Sequence, residues 1–181
     1  MPASEKVNYK NISKKALKLF DEKQFDEALP LFEQVAEQNL NSDDWFNVAT
    51  CAILCKQIDK GHEALNKAIE LYKQIGNDEN LPIGQMCFYF MHALNDVAEY
   101  DLGFTQLEQF KQTIIDLKIT DDHFLYIRGI PFLGNILNAS VNILQNQTKV
   151  KALDWLNDFA AKVDSEGKVL IEDFIKTNGF A

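Results

Sequence analysis

Apolar residues return at every third or fourth position along nearly the whole chain, the spacing that lines one face of an α-helix. Caps and breakers cut that pattern into helices predicted at about 8–21, 26–39, 43–56, 60–75, 83–99, 102–117, 122–145, 149–163 and 166–177. Asn39-Leu40-Asn41-Ser42-Asp43 supplies a turn with side chains suited to capping the next helix. Gly76-Asn77-Asp78-Glu79-Asn80-Leu81-Pro82 is a longer loop. Thr120-Asp121-Asp122 and Asp164-Ser165-Glu166 precede apolar runs and offer further caps, and Asn178-Gly179 is a helix stop. Gly129-Ile130-Pro131 breaks the seventh helix, because proline donates no N–H and crowds the preceding turn. Pro30 is read as lying about one turn into its helix, where few backbone bonds are lost. No segment shows a convincing strand pattern, so the expected fold class is all-α.

One segment occurs three times. Lys23-Gln24-Phe25-Asp26-Glu27-Ala28 returns as Lys56-Gln57-Ile58-Asp59-Lys60-Gly61, and more loosely as Glu99-Tyr100-Asp101-Leu102-Gly103. Each copy joins an aromatic or β-branched residue to Asp, with a small residue two positions later. Ala28, Gly61 and Gly103 then align at separations of 33 and 42 residues. A small residue at a fixed place after a turn is what two helices of a hairpin need in order to touch. A period in the thirties points to an array of such hairpins, with the 76–82 loop accounting for the longer second interval.

Around these anchors the chain resembles the tetratricopeptide (TPR) repeat family. The residues that carry the resemblance are Ala16, Leu19, Phe25, Ala28, Phe32 and Val35 in the first copy. In the second they are Trp45, Val48, Ala49, Ala52, Ile58, Gly61, Leu65 and Ala68. Cys87, Phe90, Met91, Leu94, Tyr100, Gly103, Leu107 and Phe110 form a third. Ile136, Ala139, Ser140, Ile143, Ala152, Leu156 and Phe159 form a degenerate fourth. Met91, Ser140 and Lys15 depart from the family's usual residues. The resemblance implies a short right-handed α-solenoid, a single domain overall, closed by a capping helix with Val169, Leu170, Phe174 and Ile175. Its parts are a flexible N-terminus at 1–7, two hairpins at 8–75, a third at 83–117, and a degenerate hairpin with the capping helix at 122–181. The alternative for the last 60 residues is a differently packed helical bundle.

A hairpin of this size cannot bury its apolar face alone, so neighbours stack and the array curves. In the family the first helix of each hairpin lines the concave side and holds a partner. The positions implied for that groove are Ser13, Leu17 and Phe20, then Phe46, Thr50 and Ile53, then Phe88, His92 and Asn95, with Leu137, Val141 and Leu144 from the fourth copy. Leu17, Phe20, Phe46, Thr50, Ile53, Phe88, His92 and Asn95 are the candidate partner-binding residues. None matches the Lys/Asn/Arg clamp by which some family members grip a terminal carboxylate. The implied function is a non-catalytic protein–protein interaction module, or scaffold, that binds an apolar or amphipathic segment of a partner. The competing occupant of the groove is the chain's own last helices.

Charge narrows the partner. The chain of 181 residues has a net charge of −9, and Arg128 is its one arginine. That charge disfavours nucleic acid and anionic membranes and suits a basic or amphipathic protein segment. The polar start of the chain shows no secretory signal, and no stretch is long enough to span a bilayer. A cytoplasmic location is expected, with Cys51, Cys55 and Cys87 as free thiols. No cofactor, metal site or catalytic residue is expected. His62-Glu63 opens a zinc-protease pattern, but Asn66 stands where its second ligand belongs. Glu33, Glu37, Glu70 and Glu108 are read as solvated, and Asp121-Asp122 with His123 as a helix start. Two alternatives remain: a dedicated acidic chaperone or immunity protein for one bacterial effector or toxin, and a helical enzyme or small-ligand regulator. The oligomeric state is left open.

Overall fold

The computed structural model describes residues 9–180, so the expected flexible segment 1–7 lies outside the described residues. Ten helices follow one another with no strand among the described residues. They are α1 (Tyr9–Asp21), α2 (Phe25–Ala36), α3 (Ser42–Leu54), α4 (Ile58–Ile75), α5 (Ile83–Asp96), α6 (Tyr100–Leu117), α7 (Asp122–Ile127), α8 (Leu133–Gln145), α9 (Lys149–Ala160) and α10 (Ser165–Thr177). The caps fall where the polar turn residues stand. The side chains of Asn41, Asp121 and Asp164 accept from the N–H groups of Asp43, Phe124 and Gly167. The predicted break is real: α7 ends before Gly129, which adopts φ +67°, and α8 starts after a buried Pro131. Pro30 lies deeper than expected, at the sixth position of α2, where its missing N–H leaves the Asp26 carbonyl without a helical bond.

The repeated segment is one joint built three times. Lys23, Lys56 and Ala98 take left-handed φ values of 60°, 59° and 65°. The next N–H then reaches back to close the preceding helix: Gln24 to Leu19 O, Gln57 to Ala52 O and Glu99 to Leu94 O, at 2.8–2.9 Å. Gln24, Gln57 and Glu99 stand outside the new helix with φ near −90° and ψ of 61–69°. Phe25, Ile58 and Tyr100 become the first helical residues. These helices therefore start one or two residues before the predicted positions. Asp26, Asp59 and Asp101 follow in the first turn, where a carboxylate meets the positive end of the helix dipole. The small residue closes the turn: Ala28, Gly61 and Gly103 donate their N–H to the cap carbonyls at 2.9–3.0 Å.

The chain forms two compact units, one ending at Leu81 and one starting at Pro82. In the first unit α1 packs on α2, α2 on α3 and α3 on α4. Phe20, Phe25 and Phe32 meet edge to face, with Phe20 5.2 Å from Phe25 and 6.0 Å from Phe32. The Cys51 thiol donates to the Phe25 carbonyl at 3.3 Å and ties α3 to the first joint. Gly61 lies where a Cβ would stand 2.5 Å from Ile53 Cδ1 and 3.2 Å from the Ala49 carbonyl. Here the small residue does mark contact within one hairpin. The loop after α4 folds back on the start of α3, with Leu81 N–H donating to Asp43 at 3.0 Å.

In the second unit α5 and α6 pair, and α8 packs against both, as well as against α9 and α10. Met91, Leu107, Phe110, Ile114, Leu133, Ile136, Ile143, Leu156, Phe159 and Ile171 share one continuous core. Gly103 shows the difference from the first unit. The nearest atoms to its missing Cβ belong to Ile143 of α8, at 2.9 Å, and not to its hairpin partner α5. The expectation that this residue marks a contact within its hairpin is corrected, because α8 takes that place. A second correction concerns α10. Val169 and Leu170 are 58% and 39% exposed, whereas Gly167, Ile171, Phe174 and Ile175 form its buried face. Gly167 sets that face, because a Cβ there would meet Thr120 at 2.6 Å.

Candidate functional site

The eight expected groove residues divide between the units: Leu17, Phe20, Phe46, Thr50 and Ile53 in the first, Phe88, His92 and Asn95 in the second. Leu17 of α1 is 43% exposed and offers apolar surface, whereas Phe20 is already engaged by Phe25 and Phe32. Phe46 and Thr50 of α3 are each 8% exposed, and the Thr50 hydroxyl is turned back onto the Phe46 carbonyl at 3.1 Å. Ile53 is fully buried with its Cδ1 against Gly61, so it offers no surface to a partner. On α5, Phe88 and His92 are half-buried with their rings 4.6 Å apart at 86°, an edge-to-face pair. Asn95 holds a buried Oδ1 with no hydrogen-bond partner.

A second cluster was not foreseen. A cleft of about 300 Å³ lies among α2, α3 and α4, lined by Glu33, Glu37, Trp45, Lys60, Glu63 and Lys67 among others. Helix periodicity assembles it. Glu33 lies in the last turns of α2 and Glu37 is the residue that caps its C-terminal end, four positions on; Glu63 and Lys67 stand one turn apart on α4, and Trp45 on α3 joins them in the lining. Lys60 closes an ion pair with Glu33 at 2.7 Å across α2 and α4. The Lys67 ammonium lies 3.5 Å from the centroid of the Trp45 ring, a close cation–π contact. Glu37 and Glu63 form no ion pair among the described residues. The sequence signal was present but divided. In the sequence Trp45 belongs to the repeat pattern, Glu33 and Glu37 to solvated faces and Glu63 to a broken metal pattern, and only the packing of three helices joins them.

The thiols are poor reagents. Burial raises the Cys51 thiol far above its ordinary value, with the neighbouring Cys55 adding to the effect. Burial and a hydrogen bond to Asp26 raise Cys55 to about 11, and burial also raises Cys87. All three stay protonated at neutral pH. No group of three or more His, Cys, Asp or Glu residues placed to hold a metal ion occurs among the described residues. None of the described helices is long and apolar enough to cross a membrane.

No protein-family model matches the chain, and no curated protein or solved structure matches it significantly.

Proposed function

We propose that this chain is a non-catalytic protein-interaction module whose helical hairpins follow a TPR-like plan and hold an amphipathic partner segment with basic flanks. The observation that carries this reading is the α2–α4 cleft, where the Trp45 indole of α3 stands among carboxylates from the end of α2 and from α4. Aromatic faces and carboxylates bind cationic and amphipathic segments without reacting with them. The three-fold joint supports the hairpin plan. Within the same unit Leu17 supplies further apolar contact surface, whereas Ile53 drops out.

Selection from a random peptide library tests the reading. The expected result is a consensus with apolar residues and basic flanks, and weaker binding in Trp45→Ala or Phe46→Ala protein. Absence of a consensus, or unchanged affinity in both variants, overturns it. The net charge of −9 favours a narrower second reading, a dedicated chaperone or immunity protein for one basic client. That reading requires a single client bound at equal stoichiometry, and several clients of similar affinity would remove it.

A further inference from the structure

We infer that the α2–α4 cleft is a receptor for an arginine side chain of a partner, with Lys67 occupying the indole face until the arginine arrives. The inference rests on the interaction reading and names the group recognised. Glu63 and Lys67 have the i, i+4 spacing and order at which a glutamate and a lysine ordinarily pair on a helix surface. They do not pair. Lys67 reaches instead to the Trp45 ring at 3.5 Å, which leaves Glu63 without a cation. Lys60 is held by Glu33, so Glu37 is also unmatched. The cleft therefore carries three carboxylates against two ammonium groups, and its aromatic face already holds a cation.

An incoming guanidinium suits this arrangement better than an ammonium. It is planar and weakly hydrated, stacks on an indole, and presents donors to a carboxylate in a fixed fork. Over Trp45 it displaces Lys67 and pairs with Glu37. The released Lys67 falls back on Glu63, four residues earlier on its own helix. One cation replaces another over the ring, and both unmatched carboxylates gain a partner. Charge complementarity commits the site to a basic protein segment.

The chain has two tryptophans, so fluorescence of the Trp155→Phe protein reports Trp45 alone. The probe is acetyl-arginyl-arginine amide, with the neutral citrulline analogue as its control. The arginine peptide is expected to change the emission saturably, and the citrulline peptide is not. Lys67→Met removes the resident cation and is expected to tighten binding by at most about fivefold, the exposed cation–π contact less the Glu63 pairing that the released lysine would regain. Glu37→Gln weakens it, and Lys73→Met, which lies outside the cleft on α4, leaves it unchanged. Equal binding of both peptides, or unchanged or weaker binding by Lys67→Met protein, overturns the inference. Should Trp155→Phe protein fail to fold, the indole N–H resonance of Trp45 in the wild-type protein gives the same reading. If selected peptides bind Trp45→Ala protein at full affinity, the arginine receptor falls and the interaction module stands. If selection from the library yields no peptide for the wild-type protein, the module itself falls.

Discussion

From α1 to α4 each helix packs on the one that follows it, whereas from α5 onward α8 gathers α5, α6, α9 and α10 around itself. Both units use the same joint, yet they spend its small residue differently. Gly61 meets Ile53 of its own hairpin, and Gly103 meets Ile143 of a helix some forty residues further on. A stack joined by neighbours has stability that is a sum of local terms, so damage stays local. A bundle with one shared core loses that core as a unit.

The largest expected effect tests that contrast directly. Phe159 is fully buried and belongs to the shared core of the second unit. Phe159→Ala should cost about 3–5 kcal/mol in urea unfolding. Hydrogen exchange should show α5, α6, α8, α9 and α10 losing protection together while α1–α4 keep theirs. Faster exchange confined to α9 would break the comparison. The next test asks which helix each glycine faces. Gly61→Val should cost about 1–3 kcal/mol through overpacking, and adding Ile53→Val should recover part of it. Gly103→Val should be relieved by Ile143→Val of α8, and not by trimming α5.

Acid offers a smaller effect in the second unit. Hydrogen bonds from Lys111 and Lys162 draw Asp158 down to about 2 from 3.8. Burial alone would raise Asp164, but hydrogen bonds from the Thr120 hydroxyl and the Gly167 and Thr120 N–H groups hold it below its ordinary value. A carboxylate with a lower pKa folded than unfolded stabilises the fold fully above the unfolded value and loses that contribution as pH falls through the folded one. The second unit should therefore weaken between about pH 4 and pH 2. The weakening should shrink in Asp158→Asn and Asp164→Asn proteins. At neutral pH, Asp164→Ala should cost about 1 kcal/mol as a lost helix cap. The smallest effect concerns what the units share. Lys56→Gly and Ala98→Gly relieve a left-handed backbone, and each should stabilise its unit by about 0.5 kcal/mol in thermal unfolding. Destabilisation by either would show that the two units do not share the joint's backbone strain.

Much of the fold was legible because it depends on local chemistry. The helix-forming period, the caps at Asn41, Asp121 and Asp164, and the break at Gly129-Ile130-Pro131 are decided by residues within one turn of each other. The predicted ends missed where the joint's left-handed residues were counted as helix, since nothing in Lys56 or Ala98 announces a positive φ. The candidate site was less legible. The repeat resemblance put Ile53 in the groove, but no local pattern says that Gly61 encloses it. Glu33 and Glu37 are ordinary surface residues in the sequence, and they line a cleft only because α3 brings Trp45 beside them.

By itself, then, the sequence determined an all-helical chain, its repeated joint and its acidic charge, because periodicity, turn chemistry and composition act over a few residues or over the whole sum. The tertiary structure alone decided that α8 would replace a hairpin neighbour at Gly103 and that Lys67 would leave Glu63 for Trp45. Such choices turn on which side chains from distant segments compete for the same few ångströms, and no local pattern encodes the outcome of that competition.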